Sequence, residues 1–290
     1  MFSWIAPLAL TSTAHNLCVR MQDRELQGFG ADFMALARMS LWSAHNGYSV
    51  CVEKGPYDKV PEPESDASWH FYLNSLAECR RHDCDKRADW YGPENDCDRH
   101  PRRLFSEAVR MLYKPNRWVR TTVEEKVDYL APHRAVVLHV RRGDKIAGPW
   151  RETTETHQHP SLEDYYRAAV DAKGAHTRLL VLADEDETIT RIVAINDHLK
   201  KFEQVVYAEK EKRRGGFGFN QLRSKLTDHD LKDEALVFFS LIETMRTAGV
   251  LVGARLSSVF VIAELLRSPN QSTVSLMDNP RYPTRYIFDQ

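Results

Sequence analysis

Arg141, Arg142 and Lys145 place three cations, with Gly143 and Asp144 between them, directly after the run Ala-Val-Val-Leu-His-Val at 135–140. That run is short, apolar and rich in β-branched residues, the pattern of a strand buried on both faces. In an open α/β sheet, ligands bind just beyond the carboxyl ends of the strands. A cationic cluster there predicts an anion, most simply a phosphate or pyrophosphate. Arginine suits the task because its planar fork donates two hydrogen bonds to phosphate oxygens. Gly143 lets the backbone turn tightly. Either arginine alone has a plainer reading, an ion pair with a nearby acid; two of them with a lysine at one strand end weigh towards the anion. Arg142-Gly143-Asp144 also spells an adhesion tripeptide, but such a signal needs an exposed loop tip.

Other strand ends carry polar groups too. The strand Arg178–Ala183 runs into Asp184-Glu185-Asp186, and Val250–Gly253 runs into Ala254-Arg255-Leu256-Ser257-Ser258. A serine pair at a helix start caps the helix, while the N–H groups there also bind anions. Glu243 lies in a long helix, where solvation or an ion pair is the plain reading. Gly28-x-Gly30 is a fragment of a dinucleotide fingerprint, with a tight turn as its plain alternative.

These residues need a frame of alternating strands and helices. In the first half, a strand at 17–21, the glycine loop, a mostly buried helix at 31–46 and the strand Tyr48–Val52 make one βαβ unit. Residues 55–65 read as a proline-rich loop and 67–79 as a short aromatic helix. Residues 80–102 read as irregular, and 103–113 and 118–130 as helices broken at Pro115. In the second half, Val136–Val140, Arg178–Ala183, 204–208, Val250–Gly253 and 273–277 read as strands. The helices between them are 161–173, opened by a Ser161-x-x-Asp164 capping box and stopped by Gly174, then 187–200, 230–247 and 258–267. Residues 209–227 read as a charged, glycine-containing loop. This alternation predicts a parallel sheet with helices on both faces. A domain boundary is expected near 131–134, dividing the chain into 1–132 and 133–290.

The chain has 290 residues, 42% of them hydrophobic, enough for two lobes with sizeable cores. Lys+Arg 40 against Asp+Glu 41 argues against bulk attraction to nucleic acid, so any anion site is local. No apolar run approaches the ~20 residues of a membrane span. The opening ten residues lack a basic start and are broken by Pro7, making a poor signal peptide. Cys79, Cys84 and Cys97, with His82 and His100, allow a zinc site only without any CxxC pair; disulfides fit a secretory protein and free thiols a cytosolic one. Asn270-Gln-Ser272 is a glycosylation sequon, meaningful in a secretory protein. Trp69, Trp90 and Trp150 could stack on sugar faces, although core or interface roles are commoner.

His139-Val-Arg-Arg-Gly-Asp-Lys145 resembles the first motif of the α1,6-fucosyltransferases, a family that includes the nodulation fucosyltransferases, and is similar to the protein O-fucosyltransferase superfamily. Gly28-Phe-Gly30, the aromatic stretch 69–79, His159-Pro160 with Tyr165, Leu182-Ala-Asp-Glu-Asp186, and the segment 242–258 resemble further family segments in the same order. The resemblance implies a GT-B architecture, two Rossmann-like lobes facing a cleft with the nucleotide sugar on the second. It implies inverting, metal-independent transfer of fucose from GDP-fucose to a glycan. Arg141, with Arg142, would hold the donor pyrophosphate. Lys145 would join the proton relay near the acceptor, Glu243 would read guanine, and Ser258 would join the relay or the phosphate contacts.

Elementary chemistry agrees, since such transfer needs a base for the acceptor hydroxyl and positive charge for the departing diphosphate. The family's catalytic glutamate lies four residues after the motif lysine, where this chain has Pro149. Glu152, or else Glu155, is the expected base, with solvated loop carboxylates as the plain reading. Two further readings remain: a metal-dependent glycosyltransferase with a divalent ion on Asp184-x-Asp186, and a nucleotide- or glycan-binding protein that has lost its base.

Overall fold

The computed structural model describes residues 15–20, 29–45, 48–52, 77–78, 86–89, 102–142, 160–208, 228–255 and 257–276. β1 (His15–Arg20), α1 (Phe29–His45) and β2 (Tyr48–Val52) form the expected βαβ unit, with Cys18 opposite Cys51 in a parallel register. β3 (Ala77–Glu78) and β4 (Lys86–Asp89) complete a parallel sheet in the order β3-β2-β1-β4.

Two expectations are corrected here. Ala77 and Glu78 are a strand paired with Cys51 and Val52, not the end of a helix. Lys86–Asp89 pairs with β1 inside a stretch expected to be irregular. Both are edge strands, where main-chain pairing needs no apolar alternation, and Lys-Arg-Ala-Asp carries none. Cys51 is disulfide-bonded, so not every thiol of the chain is free.

α2 (Arg102–Leu112) and α3 (Arg117–Leu130) follow. α3 starts on Asn116, whose side chain accepts the Val119 N–H, and ends where Ala131 takes a left-handed φ of 43°. A 3-10 turn, Pro132–Arg134, then feeds the second sheet.

That sheet contains β5 (Val136–Val140), β6 (Arg178–Ala183), β7 (Gln204–Tyr207), β8 (Val250–Gly253) and β9 (Ser272–Ser275). All are parallel, in the order β7-β6-β5-β8-β9. The connecting helices are α4 (Leu162–Ala172), α5 (Asp186–Leu199), α6 (Asp228–Thr247) and α7 (Ser258–Leu266). The predicted capping box opens α4: the Asp164 N–H donates to Ser161 Oγ at 3.0 Å and the Ser161 N–H donates back to Asp164 Oδ2 at 3.2 Å. The Ser161 hydroxyl also donates to Asp164 Oδ2, at 2.8 Å, and it and the Ser161 N–H hold the Asp164 carboxyl below its usual range.

β5 is buried at every position because both its faces are covered. Val136, Leu138 and Val140 pack with Leu162, Tyr165 and Tyr166 of α4 and Ile189 and Ile192 of α5. Ala135 and Val137 pack with Met245 of α6 and Phe260 and Ala263 of α7. A third apolar cluster joins the two sheets. In it Phe33, Met34 and Leu36 of α1 meet Phe105 and Val109 of α2, Val123 of α3, Phe238 and Phe239 of α6, and Ile262 of α7. Among the described residues, no helix is long and apolar enough to cross a membrane.

Candidate functional site

In the second sheet the chain steps from β5 to β6 and β7 on one side, then places β8 and β9 on the other. Strand order therefore reverses between β5 and β8, and such a switch point opens a crevice at the strands' carboxyl ends. Arg141 and Arg142 stand at that end of β5.

Register decides what Arg141 meets. Val140 is opposite Ala183, so the next residues, Arg141 and Asp184, fall side by side. Arg141 Nη1 donates to Asp184 Oδ2 at 2.7 Å, and the Arg142 main-chain N–H donates to Oδ1 at 3.0 Å. Asp184 is buried, so both of its oxygens are satisfied inside the protein. This geometry suits an aspartate that aims an arginine better than one that grips a cation. Asp186 is the exposed first residue of α5, and no group of three potential metal ligands occurs among the described residues.

The carboxylate between them was missed by reading only the ends of Asp-x-Asp. Glu185 is half-buried and accepts a long bond from Thr188 Oγ1, 3.4 Å. Burial, then the charge of Asp184, raises its carboxyl above the usual range, with Arg142 pulling the other way. The signal was in the sequence, as an acid two places beyond a strand end, but an alternating template skips it.

Side-chain alternation carries Arg141 to the face of β5 that α7 covers, where His139 stacks on Phe260 with centroids 6.2 Å apart. Ser257 is the buried N-cap residue of α7, but its side chain makes no capping bond; its carbonyl accepts the Val261 N–H at 3.0 Å. The hydroxyl therefore leaves the first-turn N–H groups to other acceptors. The preceding turn is braced by a bidentate pair, Arg255 Nη2 to Glu264 Oε1 at 2.9 Å and Arg255 Nε to Glu264 Oε2 at 3.1 Å.

Gly30 meets this same turn. A Cβ added to it would lie 3.0 Å from Val259 Cγ2 and 3.4 Å from both Ser258 Cβ and Val259 N. The glycine is thus filled against α7, and its role is to let the starts of α1 and α7 touch. Two motifs 228 positions apart, counting from Gly30 to Ser258, come together in this way.

Glu243 is not brought to this place. It stands one turn before the carboxyl end of α6, paired with Arg246 Nε at 2.9 Å. Just past that end, the Gly249 N–H donates to the Pro132 carbonyl at 3.0 Å, immediately ahead of β5. Helices of a parallel sheet run antiparallel to the strands, so Glu243 lies at the amino edge of the sheet, opposite Arg141. There, burial and then the Glu243 charge push the Tyr113 hydroxyl well above the usual tyrosine range. Its assignment as a guanine reader does not fit this placement. Gly28, Lys145, Glu152 and Glu155 lie outside the described residues, as do Cys79, Cys84, Cys97, His82, His100, the three tryptophans at 69, 90 and 150, and the loop 209–227. Asn270 of the sequon is exposed.

The same arrangement of sheets and helices occurs in solved fucosyltransferases. NodZ α-1,6-fucosyltransferase, in crystals soaked with GDP-fucose, superposes with a TM-score of 0.53 at 12% identity, over 88% of this chain and 93% of that one. POFUT1 in complex with GDP superposes with a TM-score of 0.54 at 10% identity, over 92% of this chain and 100% of that one. The fold is that of the GT-B fucosyltransferases. A second crystal of POFUT1 with GDP gives 0.51 at 11% identity, over 91% and 99%. No family model matches the sequence, and no curated protein sequence matches it.

Proposed function

We propose that this protein is an inverting glycosyltransferase that moves a sugar, fucose in the favoured case, from a nucleoside diphosphate, GDP in the favoured case, to a glycan hydroxyl. The observation that carries the reading is Arg141, fixed by Asp184 at the switch point of the second sheet. The fold of GDP-binding fucosyltransferases supports it. In the reaction, the acceptor oxygen bonds to the sugar's anomeric carbon from the face opposite the diphosphate. The bond from that carbon to the phosphate oxygen breaks, and the diphosphate keeps the electron pair.

Arg141, Arg142 and the start of α7 offset the charge growing on the leaving group, the largest electrostatic demand of the step. The acceptor proton goes to a carboxylate, for which Glu152 is proposed before Glu155, with Lys145 in the relay. Metal-free transfer is part of the proposal, supported by the engagement of both Asp184 oxygens with N–H groups.

Calorimetry with GDP and UDP, and turnover with GDP-fucose in EDTA, test the reading. GDP should bind, Arg141→Ala should abolish most of that binding, and turnover should persist in EDTA. Equal binding by wild type and Arg141→Ala would remove the arginine from the donor site. Activity lost in EDTA and restored by Mn²⁺ would overturn the metal-free step.

A further inference from the structure

Among the described residues, two hydrogen-bond donors at the end of β5 have nothing to donate to. Tyr165, in the first turn of α4, is 1% exposed, and its hydroxyl meets no hydrogen-bond partner among those residues. The half-buried Arg142 uses its main-chain N–H on Asp184, while its guanidinium enters no ion pair or hydrogen bond among the described residues. The two side chains share a face. Val136, Leu138 and Val140 point into the cluster that contains Tyr165, and Arg142 continues that alternation. Tyr165 belongs to one cluster with Val140 and Ala183, the last residues of β5 and β6, and the charges of Arg142 and Asp184 both act on it.

The Tyr165 ring packs against β5 as a phenylalanine would, so packing does not account for the hydroxyl. A buried hydroxyl without a partner is costly. Burial and the Asp184 charge outweigh Arg142 and keep the phenol protonated far beyond neutral pH, so it can act as a donor. A phenol O–H and a guanidinium fork on the same face of the strand end, both without acceptors among the described residues, match a group made of acceptor oxygens. Asp184 does not fill that place, because both of its oxygens are taken.

We infer that Tyr165 and Arg142 together hold one phosphate of the donor diphosphate, the phenol donating to a non-bridging oxygen. The inference rests on the nucleotide-sugar reading and adds Tyr165 to it as a binding residue. Arg141 then serves the face of the sheet under α7, Arg142 and Tyr165 serve the face under α4, and the diphosphate spans the end of β5.

Tyr165→Phe in the full chain tests this through two readouts that a packing role would not move together. Without ligand, the variant should unfold at the same temperature as wild type or higher, because no internal bond is lost. Its affinity for GDP and for inorganic pyrophosphate should fall roughly tenfold, the scale of one hydrogen bond to a charged group. Affinity for GMP should fall too if the phenol holds the phosphate next to the nucleoside, and should stay unchanged if it holds the outer one. Arg142→Gln should weaken the same ligands, and the double variant should lose less than the two single losses added.

Unchanged affinity for GDP and pyrophosphate in Tyr165→Phe, with wild type binding both, overturns this inference alone. A lower unfolding temperature without ligand also overturns it, since the hydroxyl then has a partner in the fold. A wild type that binds neither ligand overturns the nucleotide-sugar reading and this inference with it.

Discussion

Asp184 and Arg141 meet across the ends of neighbouring strands, Oδ2 2.7 Å from Nη1, with the carboxylate 7% exposed and the guanidinium 31%. A buried acid thus aims a partly exposed base at the crevice. Asp184→Asn keeps the shape and removes the charge. It should cost about 1.5–3 kcal/mol of stability, the range for a hydrogen bond to a charged group. It should also weaken GDP binding about tenfold, because Arg141 is then free to turn away. Denaturant unfolding and calorimetry measure the two effects; GDP binding at wild-type strength would mean that Arg141 is oriented by something else.

Gly30 offers a test in two backgrounds. Replacing it by alanine favours the helix by roughly 0.5–1 kcal/mol, but the new Cβ presses on Val259. Overpacking of that kind costs about 1–3 kcal/mol. Gly30→Ala should therefore destabilise the wild type and stabilise a Val259→Ala variant. The same sign in both backgrounds would show that the contact is not what limits the position.

Arg267 fastens the far edge of the second sheet. It is buried, and it donates to the carbonyls of Met245 at 2.7 Å, Ala248 at 3.0 Å and Ser272 at 2.8 Å, and to Thr273 Oγ1 at 2.9 Å. Arg267→Met fills similar space but strands those acceptors. A loss of at least about 1–3 kcal/mol in urea unfolding is expected, the cost of leaving a buried acceptor unsatisfied, with Lys little better because it lacks the fork. A loss below about 1 kcal/mol would mean water replaces the guanidinium.

Glu185 predicts a pH effect. Its carboxyl is shifted up on folding, so the folded state binds a proton more readily than the unfolded chain. Its contribution to stability is thus complete below the usual carboxylate range and is lost as pH rises through the folded value. Glu185→Gln should raise the unfolding temperature at pH 7.5 and leave it unchanged near pH 4. An equal shift at both pH values would assign the effect to packing.

The second sheet was legible because both its faces are covered: Val136–Val140 and Arg178–Ala183 read as unbroken apolar runs, and their ends follow directly. Asp184 was visible as a strand-end acid, but its attachment to Arg141 depends on register between strands 43 residues apart, which no local pattern encodes. β3 and β4 were hidden because edge strands pair through the main chain. Glu243 was misplaced because motif order sets sequence distance, while the direction of α6 sets which edge of the sheet the residue reaches. The Tyr165 hydroxyl was illegible as a donor because its lack of a partner among the described residues is a property of packing alone.

The apolar layer that joins the two sheets bears on how the polypeptide can be handled. Phe238, Phe239 and Ile242 of α6, with Val261 and Leu265 of α7, are covered by residues that come earlier in the chain than the 3-10 turn at Pro132–Arg134. A fragment begun at that turn would present this surface to water, a broad contiguous apolar patch of the kind that drives association. Recombinant pieces of the second half therefore need α1, α2 and α3 carried with them, or polar replacements at Phe238 and Val261, to be recovered as single molecules. During synthesis, the earlier helices emerge first, and the surface they cover is complete only once α7 has been made.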